Sequence, residues 1–236
     1  MSKPSQVAVV ATGKVMHSFV RDLPGFHERI SLVKAVSLRV ASRITNALRA
    51  GTPVENCERM CDCRTVLICV PDDAAKDTVN ELAECGVDWR RRTVLLCDSQ
   101  LTSDALRPLK RLGAQVAAMD MPPGGRGMLL VDGDRSALAE VKMLAGRGFR
   151  LLRVLPHQKS RFYQGLALAS ICGPLAALVG EQFRAAGLNP AQAKLIIEDV
   201  FANSVRDYLR LGRKVLARNP GPDRKELLRI LLQGEA

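Results

Sequence analysis

Short apolar runs alternate with amphipathic stretches along residues 1–155 of the chain. The runs are rich in β-branched residues and predict strands at Val7–Val10, Val36–Val40, Thr65–Cys69, Thr93–Cys97, Gln115–Met119, Met128–Val131 and Arg150–Val154. Between them, apolar residues recur every three or four positions and predict helices at Ala74–Cys85, Ser103–Leu112 and Arg135–Ala145. Strands that alternate with helices in this way indicate an α/β fold with a mostly parallel sheet.

Beyond Pro156 the pattern becomes helical. The periodicity predicts one long helix over Lys159–Ala186, and Pro190 lies in the first turn of the next one. Further helices are predicted at Ala191–Ala217 and Asp223–Leu232. We therefore predict a Rossmann-like α/β domain over residues 1–155, followed by an all-helical domain over residues 156–236.

The long predicted helix indicates self-association. Its middle, Leu166–Val179, is apolar on nearly every face, and such a helix needs cover on all sides. A second copy that approaches through Gly165, Ala169 and Gly173 is the simplest cover, so we predict a homodimer through the helical domain. The same stretch is too short and too rich in glycine and proline to predict a membrane span.

Composition narrows the choice of partner and compartment. The net charge is +11, but the arginines are scattered and only 4% of residues are aromatic, which favours a solvated basic surface over nucleic-acid binding. The N-terminus lacks the pattern of a signal peptide, and the odd count of 7 cysteines disfavours a disulfide framework. We expect a cytoplasmic protein. Cys57, Cys61 and Cys63 lack a second pair of ligands, so we interpret them as reduced thiols rather than a zinc site.

Predicted strands one, two and three each break into small or polar residues before a helix, as at the ligand-binding edge of a doubly wound sheet. This pattern predicts a dinucleotide cofactor. The candidate cofactor-binding residues are Ala11, Thr12, Gly13, Lys14 and Val15 at the first strand end, Ser42 and Arg43 at the second, and Val70, Pro71 and Asp72 at the third. In the first turn, the three glycine positions of the G-x-G-x-x-G fingerprint hold Ala11, Gly13 and Met16. A Rossmann-like fold that no longer binds a dinucleotide therefore stays open as an alternative.

The second strand end indicates which cofactor would bind. NAD enzymes place an acid there, whereas a 2′-phosphate favours arginine and small hydroxyl residues. Ser42 and Arg43 stand there without a neighbouring acid, which favours NADP, with NAD as the second choice. The alternative is that Arg43 is an ordinary solvated residue of a helix.

The chain resembles a bacterial group with an N-terminal Rossmann-like domain and a C-terminal helical domain of unknown function. That group is akin to pyrroline-5-carboxylate reductases and F420-dependent NADP oxidoreductases. The matching stretches, in the same order, are VAVVATGKV, VASR, TVLICVPDDA, TVLLCDSQLTSDALRPLKRLGA and KSRFYQGLALAS. The resemblance implies a two-domain fold, dimerisation through the helices and an NAD(P)-dependent oxidoreductase ancestry.

The resemblance also implies which residues lie near the nicotinamide end of the cofactor. Lys159, Tyr163, Ser99 and Asp120 are the polar residues at those positions, and a lysine or tyrosine there could protonate a substrate during hydride transfer. The favoured alternative is that Lys159 caps the junction between the domains and Tyr163 packs in their interface. Departures from the group's pattern stand at Gln100, Asp120, Met121, Phe162, Tyr163 and Ile171.

We interpret the chain as an NADP-binding oxidoreductase that acts on a small imine, amino-acid-derived or carbonyl substrate. The alternative is a catalytically degenerate dimer of the same fold that acts as a sensor or scaffold.

Overall fold

The computed structural model describes residues 6–13, 15, 18–123 and 127–211. The chain divides into two compact units, Met1–Tyr163 and Gln164–Ala236. The division falls inside the helix Pro156–Ser170, so the first turns of that helix belong to the first unit.

The first unit contains an eight-stranded sheet with the order β3-β2-β1-β4-β5-β6-β7-β8. The strands are β1 Val7–Ala11, β2 Ile30–Lys34, β3 Thr52–Val54, β4 Thr65–Cys69, β5 Thr93–Cys97, β6 Gln115–Asp120, β7 Met128–Gly133 and β8 Arg150–Arg153. Strands β1 to β6 are parallel, β7 is antiparallel to β6, and β8 is parallel to β7. The predicted Rossmann-like α/β fold is thereby confirmed.

Helices flank the sheet and continue into the second unit. They are α1 Phe26–Arg29, α2 Leu38–Leu48, α3 Asp72–Glu84, α4 Arg107–Arg111, α5 Arg135–Ala145, α6 Pro156–Ser170, α7 Cys172–Ala185 and α8 Pro190–Leu211. Short 3-10 helices lie at Phe19–Asp22, Cys57–Asp62 and Ser103–Leu106. The predicted helices at Ala74–Cys85 and Arg135–Ala145 are confirmed as α3 and α5, whereas Ser103–Leu112 forms a 3-10 turn followed by the short α4.

The central strands are buried on both faces, which explains their continuous apolar runs. Every residue of β1, β4 and β5 is buried. One apolar cluster packs α2 and α5 against one face of the sheet, and a second cluster packs α3 against the other. The in-register pairing of Ala11 with Cys69 and of Cys97 with Met119 brings the carboxyl ends of β1, β4, β5 and β6 to a single edge.

The predicted strand at Val36–Val40 is wrong. The second strand is Ile30–Lys34, and α2 begins at Leu38, with Ser37 as its N-cap. The Ser37 side chain accepts a hydrogen bond from the amide N–H of Val40 at 3.3 Å. Buried positions then recur with the helical period. They are Ala41, Ile44, Thr45 and Leu48.

Two further elements depart from the expected pattern. The edge strand β3 was not predicted, because it has only 3 residues and contains Pro53, which only an edge position tolerates. The predicted helix Lys159–Ala186 is divided at Ile171 into α6 and α7. Pro174 has no amide hydrogen to donate to the carbonyl of Ser170, which accounts for the break.

In the second unit, α7 packs on α8 across a short connection. Gly187 adopts φ +90, a conformation that ends the preceding helix, and α8 begins at Pro190 as predicted. Asn189 and Gln192 each accept a hydrogen bond from the other's amide, as in a capping box, and fix the start of α8. The predicted end of this helix at Ala217 and the predicted helix Asp223–Leu232 lie outside the described residues.

The α6–α7 stretch is strongly apolar. By length and composition alone, Pro156–Ala185 is long and apolar enough to cross a membrane, although one such helix is weak support for a span. Leu168 on α6 is 68% exposed, and on α8 Leu195 and Leu209 are 70% and 79% exposed. These exposed apolar side chains need cover from something outside the described chain.

Candidate functional site

The turn after β1 offers a backbone surface of the kind that binds phosphates. Ala11 and Val15 are buried, whereas Gly13 between them is exposed. The amide of Thr12 donates to the carbonyl of Cys69 at 3.4 Å, which ties this turn to the end of β4. A Cβ added at Gly13 would meet nothing within 4 Å, so the space beside its backbone is open to a ligand. Two residues that bear on this turn, Lys14 as a candidate ligand and Met16 as a departure from the fingerprint, lie outside the described residues.

The residues that follow β2 differ from those that the sequence pattern indicated. Ser42 and Arg43 lie in the second turn of α2, not at a strand end, because the strand prediction there is wrong. The Ser42 hydroxyl donates to the carbonyl of Leu38 at 2.8 Å and is engaged within its own helix. The first polar residues after the end of β2 are Ser37, the N-cap of α2, and Arg39 in its first turn, and both are exposed. An N-cap serine before an apolar helix is the signal that could have identified this boundary.

The end of β4 is tied to the loop after β5 by a carboxylate. Val70 is buried, Pro71 precedes α3, and Asp72 is the first residue of that helix. One carboxylate oxygen of Asp72 accepts from the Ser99 hydroxyl at 2.5 Å, and the other accepts from the amide of Gln100 at 3.2 Å. Asp72 and Ser99 were predicted as site residues of different kinds, and the structure brings them into direct contact.

Lys159, in the first turns of α6, is enclosed by acceptors. The side chain is only 2% exposed, and its Nζ donates to the carbonyl oxygens of Ser99, at 3.1 Å, and Leu101. A carboxylate oxygen of Asp132 lies 3.6 Å from the same nitrogen. Burial lowers the pKa of Lys159 from 10.5, against the opposing effect of nearby carboxylates. A lysine with this many internal acceptors is an internal cation and is poorly placed to meet a substrate.

Asp132 is a site residue that the sequence reasoning missed. It lies on β7 and is 1% exposed, and its Oδ1 accepts from the amide of Ser103 at 2.7 Å. Its Oδ2 is buried without a hydrogen-bond partner and faces Lys159 as an ion pair. An acid inside a buried apolar strand is rare unless it is paired, and that anomaly in the run Met128–Gly133 is the signal that could have identified it.

Tyr163 and Asp120 form a second polar contact, which the sequence reasoning did place in one site. The Tyr163 hydroxyl donates to Oδ2 of Asp120, the last residue of β6. Partial burial raises the pKa of Tyr163 above 10.0, and the hydrogen bond to Asp120 raises it further. The phenol therefore keeps its proton throughout the neutral range, and it is half-buried rather than enclosed.

The cysteines are free thiols. Burial raises the pKa of Cys57 to about 12, and burial also raises the pKa of Cys63. Across the ranges that the structure describes, no three His, Cys, Asp or Glu residues form a group that could hold a metal ion.

No protein-family model matches this sequence, and no curated protein sequence is significantly similar to it. Solved structures with the same fold include a pyrroline-5-carboxylate reductase from Coxiella burnetii, with a TM-score of 0.56 at 15% identity over 99% of this chain and 92% of that one. A pyrroline carboxylate reductase from Plasmodium falciparum with NADP bound has a TM-score of 0.58 at 10% identity, over 98% of this chain and 90% of that one. An imine reductase from Myxococcus stipitatus in complex with NAD+ has a TM-score of 0.65 at 13% identity, over 98% and 87%. The structural similarity confirms the fold that the sequence resemblance implied. The similar structures include pyrroline-5-carboxylate reductases, which the resemblance also named.

Proposed function

We propose that the protein is an NADPH-dependent reductase of a small imine, amino-acid-derived or carbonyl substrate. The observation that carries this proposal is the carboxyl edge of the parallel sheet. The open backbone at Gly13 lies at this edge, and the Tyr163–Asp120 pair lies at the end of β6 on the same edge. Ligands of open α/β sheets bind at that edge. The solved structures with the same fold include one reductase with NADP bound and one in complex with NAD+.

The residues at this edge fit a dinucleotide. The backbone of Ala11, Thr12, Gly13 and Val15, with its open space at Gly13, would receive the pyrophosphate, and Val70 and Pro71 would border it. For the 2′-phosphate we assign Ser37 and Arg39 in place of Ser42 and Arg43, because they lie closer to the end of β2 along the chain. A hydroxyl at a helix N-cap and an arginine in the first turn of the helix suit a phosphate group. When bound, NADPH would supply the hydride.

We assign the role of proton donor to Tyr163. Hydride addition to the carbon of a C=N or C=O bond leaves a pair of electrons on nitrogen or oxygen, and that atom must receive a proton. Tyr163 holds a proton at its phenol oxygen throughout the neutral range. In the free site that proton is donated to Asp120, so to protonate the substrate the hydroxyl would turn from Asp120 to the nitrogen or oxygen atom. The phenolate left behind would take up a proton from water, and the carboxylate of Asp120 favours a positively charged iminium beside it. Ser99 and Lys159 are assigned to support of the site, because both are engaged with internal partners.

Binding and turnover test this proposal separately. A ligand that binds only the folded state raises the unfolding midpoint, so NADPH should stabilise the protein more than an equal concentration of NADH. Consumption of NADPH should then follow when small cyclic imines or ketones are added, and Tyr163→Phe should abolish that consumption while NADPH still stabilises the protein. If NADPH produces no stabilisation, the proposal is wrong.

The sensor or scaffold alternative predicts a different pair of results. Lys159 and Ser99 form hydrogen bonds inside the protein, so among the described residues of the site we assign proton donation to Tyr163 alone. A site with so few candidate proton donors is what this alternative expects. Stabilisation by NADPH without turnover of any imine or ketone would favour a catalytically degenerate protein.

We also propose that the protein is a homodimer through its helical unit. The exposed apolar side chains of α6 and α8 need cover, and a Cβ added at Gly165 or Gly173 would meet nothing within 4 Å, so a second helix has room to approach there. Sedimentation without detergent should show a dimer at micromolar concentration. Extraction only with detergent would indicate that a membrane covers Pro156–Ala185 instead. The free thiols suit a reducing compartment, and we propose the cytoplasm.

A further inference from the structure

A buried ion pair connects α6 to the sheet next to the proposed proton donor. Asp132 on β7 and Lys159 on α6 are 1% and 2% exposed, and the Nζ–Oδ2 distance is 3.6 Å. The remaining contacts of both side chains are also internal. Asp132 accepts from the amide of Ser103, and Lys159 donates to the carbonyls of Ser99 and Leu101. Three segments, β7, α6 and the loop after β5, therefore meet at two side chains.

Tyr163 lies one helical turn after Lys159. Residues four apart on a helix lie on the same face, so the side of α6 that presents Lys159 to Asp132 also presents Tyr163 to Asp120. The two polar contacts are thus two successive attachments of one helix face to the sheet. The first is deeply buried, and the second is half-buried.

We infer that the Asp132–Lys159 pair is a latch that holds the start of α6 on the sheet and thereby positions the Tyr163 hydroxyl against Asp120. Lys159 and Asp132 are then positioning residues, and neither delivers a proton to the substrate. The inference rests on the proposed function only for the catalytic importance of Tyr163, because the attachment itself requires neither cofactor nor substrate.

The chemistry of the pair favours this role. An isolated buried ammonium or carboxylate is strongly unfavourable, and each is tolerated here because the other neutralises it and backbone groups supply further hydrogen bonds. The ammonium donates hydrogen bonds to the carbonyls of Ser99 and Leu101, and Oδ2 of Asp132 lies 3.6 Å away as its ion-pair partner. Such a pair is satisfied in only one arrangement of its three segments, so it specifies their relative positions.

The exposure of Tyr163 to solvent at neutral pH reports its position. The phenol is half-buried, and its hydroxyl donates to Asp120 on β6. If α6 moves away from the sheet, the phenol gains solvent and loses the hydrogen bond to Asp120. The chain has 2 tyrosines, so a Tyr208→Phe background leaves Tyr163 as the sole tyrosine whose exposure is measured.

The double variant Asp132→Asn with Lys159→Met tests the inference in that background. It removes one negative and one positive charge together, so no buried charge is left unpaired. We expect Tyr163 to be more exposed to solvent than in the Tyr208→Phe parent, measured by hydroxyl-radical footprinting with mass spectrometry on folded protein at neutral pH. The matched control is Lys110→Met with Asp134→Asn, a second lysine–aspartate pair with 54% and 22% exposed side chains, and it should leave the footprint of Tyr163 unchanged. An unchanged footprint of Tyr163 in the Asp132/Lys159 double variant would overturn the inference.

A single variant keeps the test decisive if the double variant does not fold. Lys159→Gln removes the ammonium but keeps a polar side chain of similar length at this position. A footprint of Tyr163 that increases at neutral pH supports the latch, and a decreased or unchanged footprint refutes it. Since no cofactor or substrate is present, failure here leaves the proposed reductase activity untouched, and failure of NADPH binding leaves this result standing.

Discussion

The choice between two arginines of α2 gives the sharpest test of how the cofactor is selected. Arg39 lies in the first turn of α2, directly after Ser37, whereas Arg43 lies one turn further along. Both side chains are exposed and lie on the same helix, and the sequence alone does not show which of them would contact the 2′-phosphate. We expect Arg39→Ala to weaken NADPH binding strongly and Arg43→Ala to weaken it little.

The expected magnitudes follow from distance. A charge-assisted hydrogen bond to a phosphate is worth about 1.5–3 kcal/mol, which corresponds to about 10- to 150-fold in affinity. Four residues of helix separate the two arginines by about 6 Å along the axis. At a distance of ~8 Å in water, a unit charge retains only about 0.5 kcal/mol of attraction, and salt reduces it further. Arg43→Ala should therefore change NADPH affinity by about threefold or less.

Calorimetric titration of each variant with NADPH and with NADH measures both effects. NADH lacks the 2′-phosphate, so its affinity should be the same in the parent and in both variants, and it serves as the internal control. Lowering the salt concentration should strengthen NADPH binding in the parent more than in Arg39→Ala. A larger loss for Arg43→Ala than for Arg39→Ala would refute the assignment and restore Arg43 as the phosphate ligand. Equal losses of affinity for NADPH and NADH would show that neither arginine binds the 2′-phosphate.

Three further predictions test other parts of the molecule. Ala169→Arg on α6 should convert the dimer to monomer or aggregate, as measured by light scattering, because it places an unpaired charge in the proposed contact; an unaltered dimer would contradict that interface. Because the folded-state pKa of Tyr163 is raised, its contribution to stability is fully present below pH 10 and is lost as the pH rises through the folded pKa; Tyr163→Phe should flatten this alkaline loss in denaturant titrations, and the same slope in both proteins would be evidence against it. Cys57 should react with iodoacetamide much more slowly at neutral pH than exposed Cys61 and Cys172, followed by mass spectrometry, because only the thiolate is nucleophilic and burial raises the pKa of Cys57 to about 12; equal rates would contradict its burial.

The fold could be predicted where burial leaves a local pattern. Strands β4 and β5 match the predicted bounds, since a strand covered on both faces is a continuous apolar run that ends where the cover ends. The second strand could not be located in the same way. Val36–Val40 has the composition of a strand, but Val36 is 84% exposed, and the helical spacing of the residues after Ser37 decides the structure there.

The candidate site likewise has residues that a local sequence pattern predicted and residues that it did not. The turn at Gly13, where we propose that phosphate binds, and the first helical residue Asp72 follow from strand ends that the sequence reveals. Asp132 was missed because its partner, Lys159, lies on a helix after β8, and no local pattern connects the two. The assignment of Ser42 and Arg43 was based on a strand end, whereas both residues lie inside α2.

The series of buried strands and amphipathic helices, and hence the class of sheet and the edge where we propose that the cofactor binds, follow from local sequence, because periodicity and burial act over a few neighbouring residues. Which polar groups meet at that edge depends on how distant segments pack together. Tyr163 reaches Asp120 across 43 positions of the chain, and Lys159 reaches the carbonyl of Ser99 across 60. Contacts of this kind depend on the pairing of strands and the path of α6 across them, and a single sequence carries no local record of either.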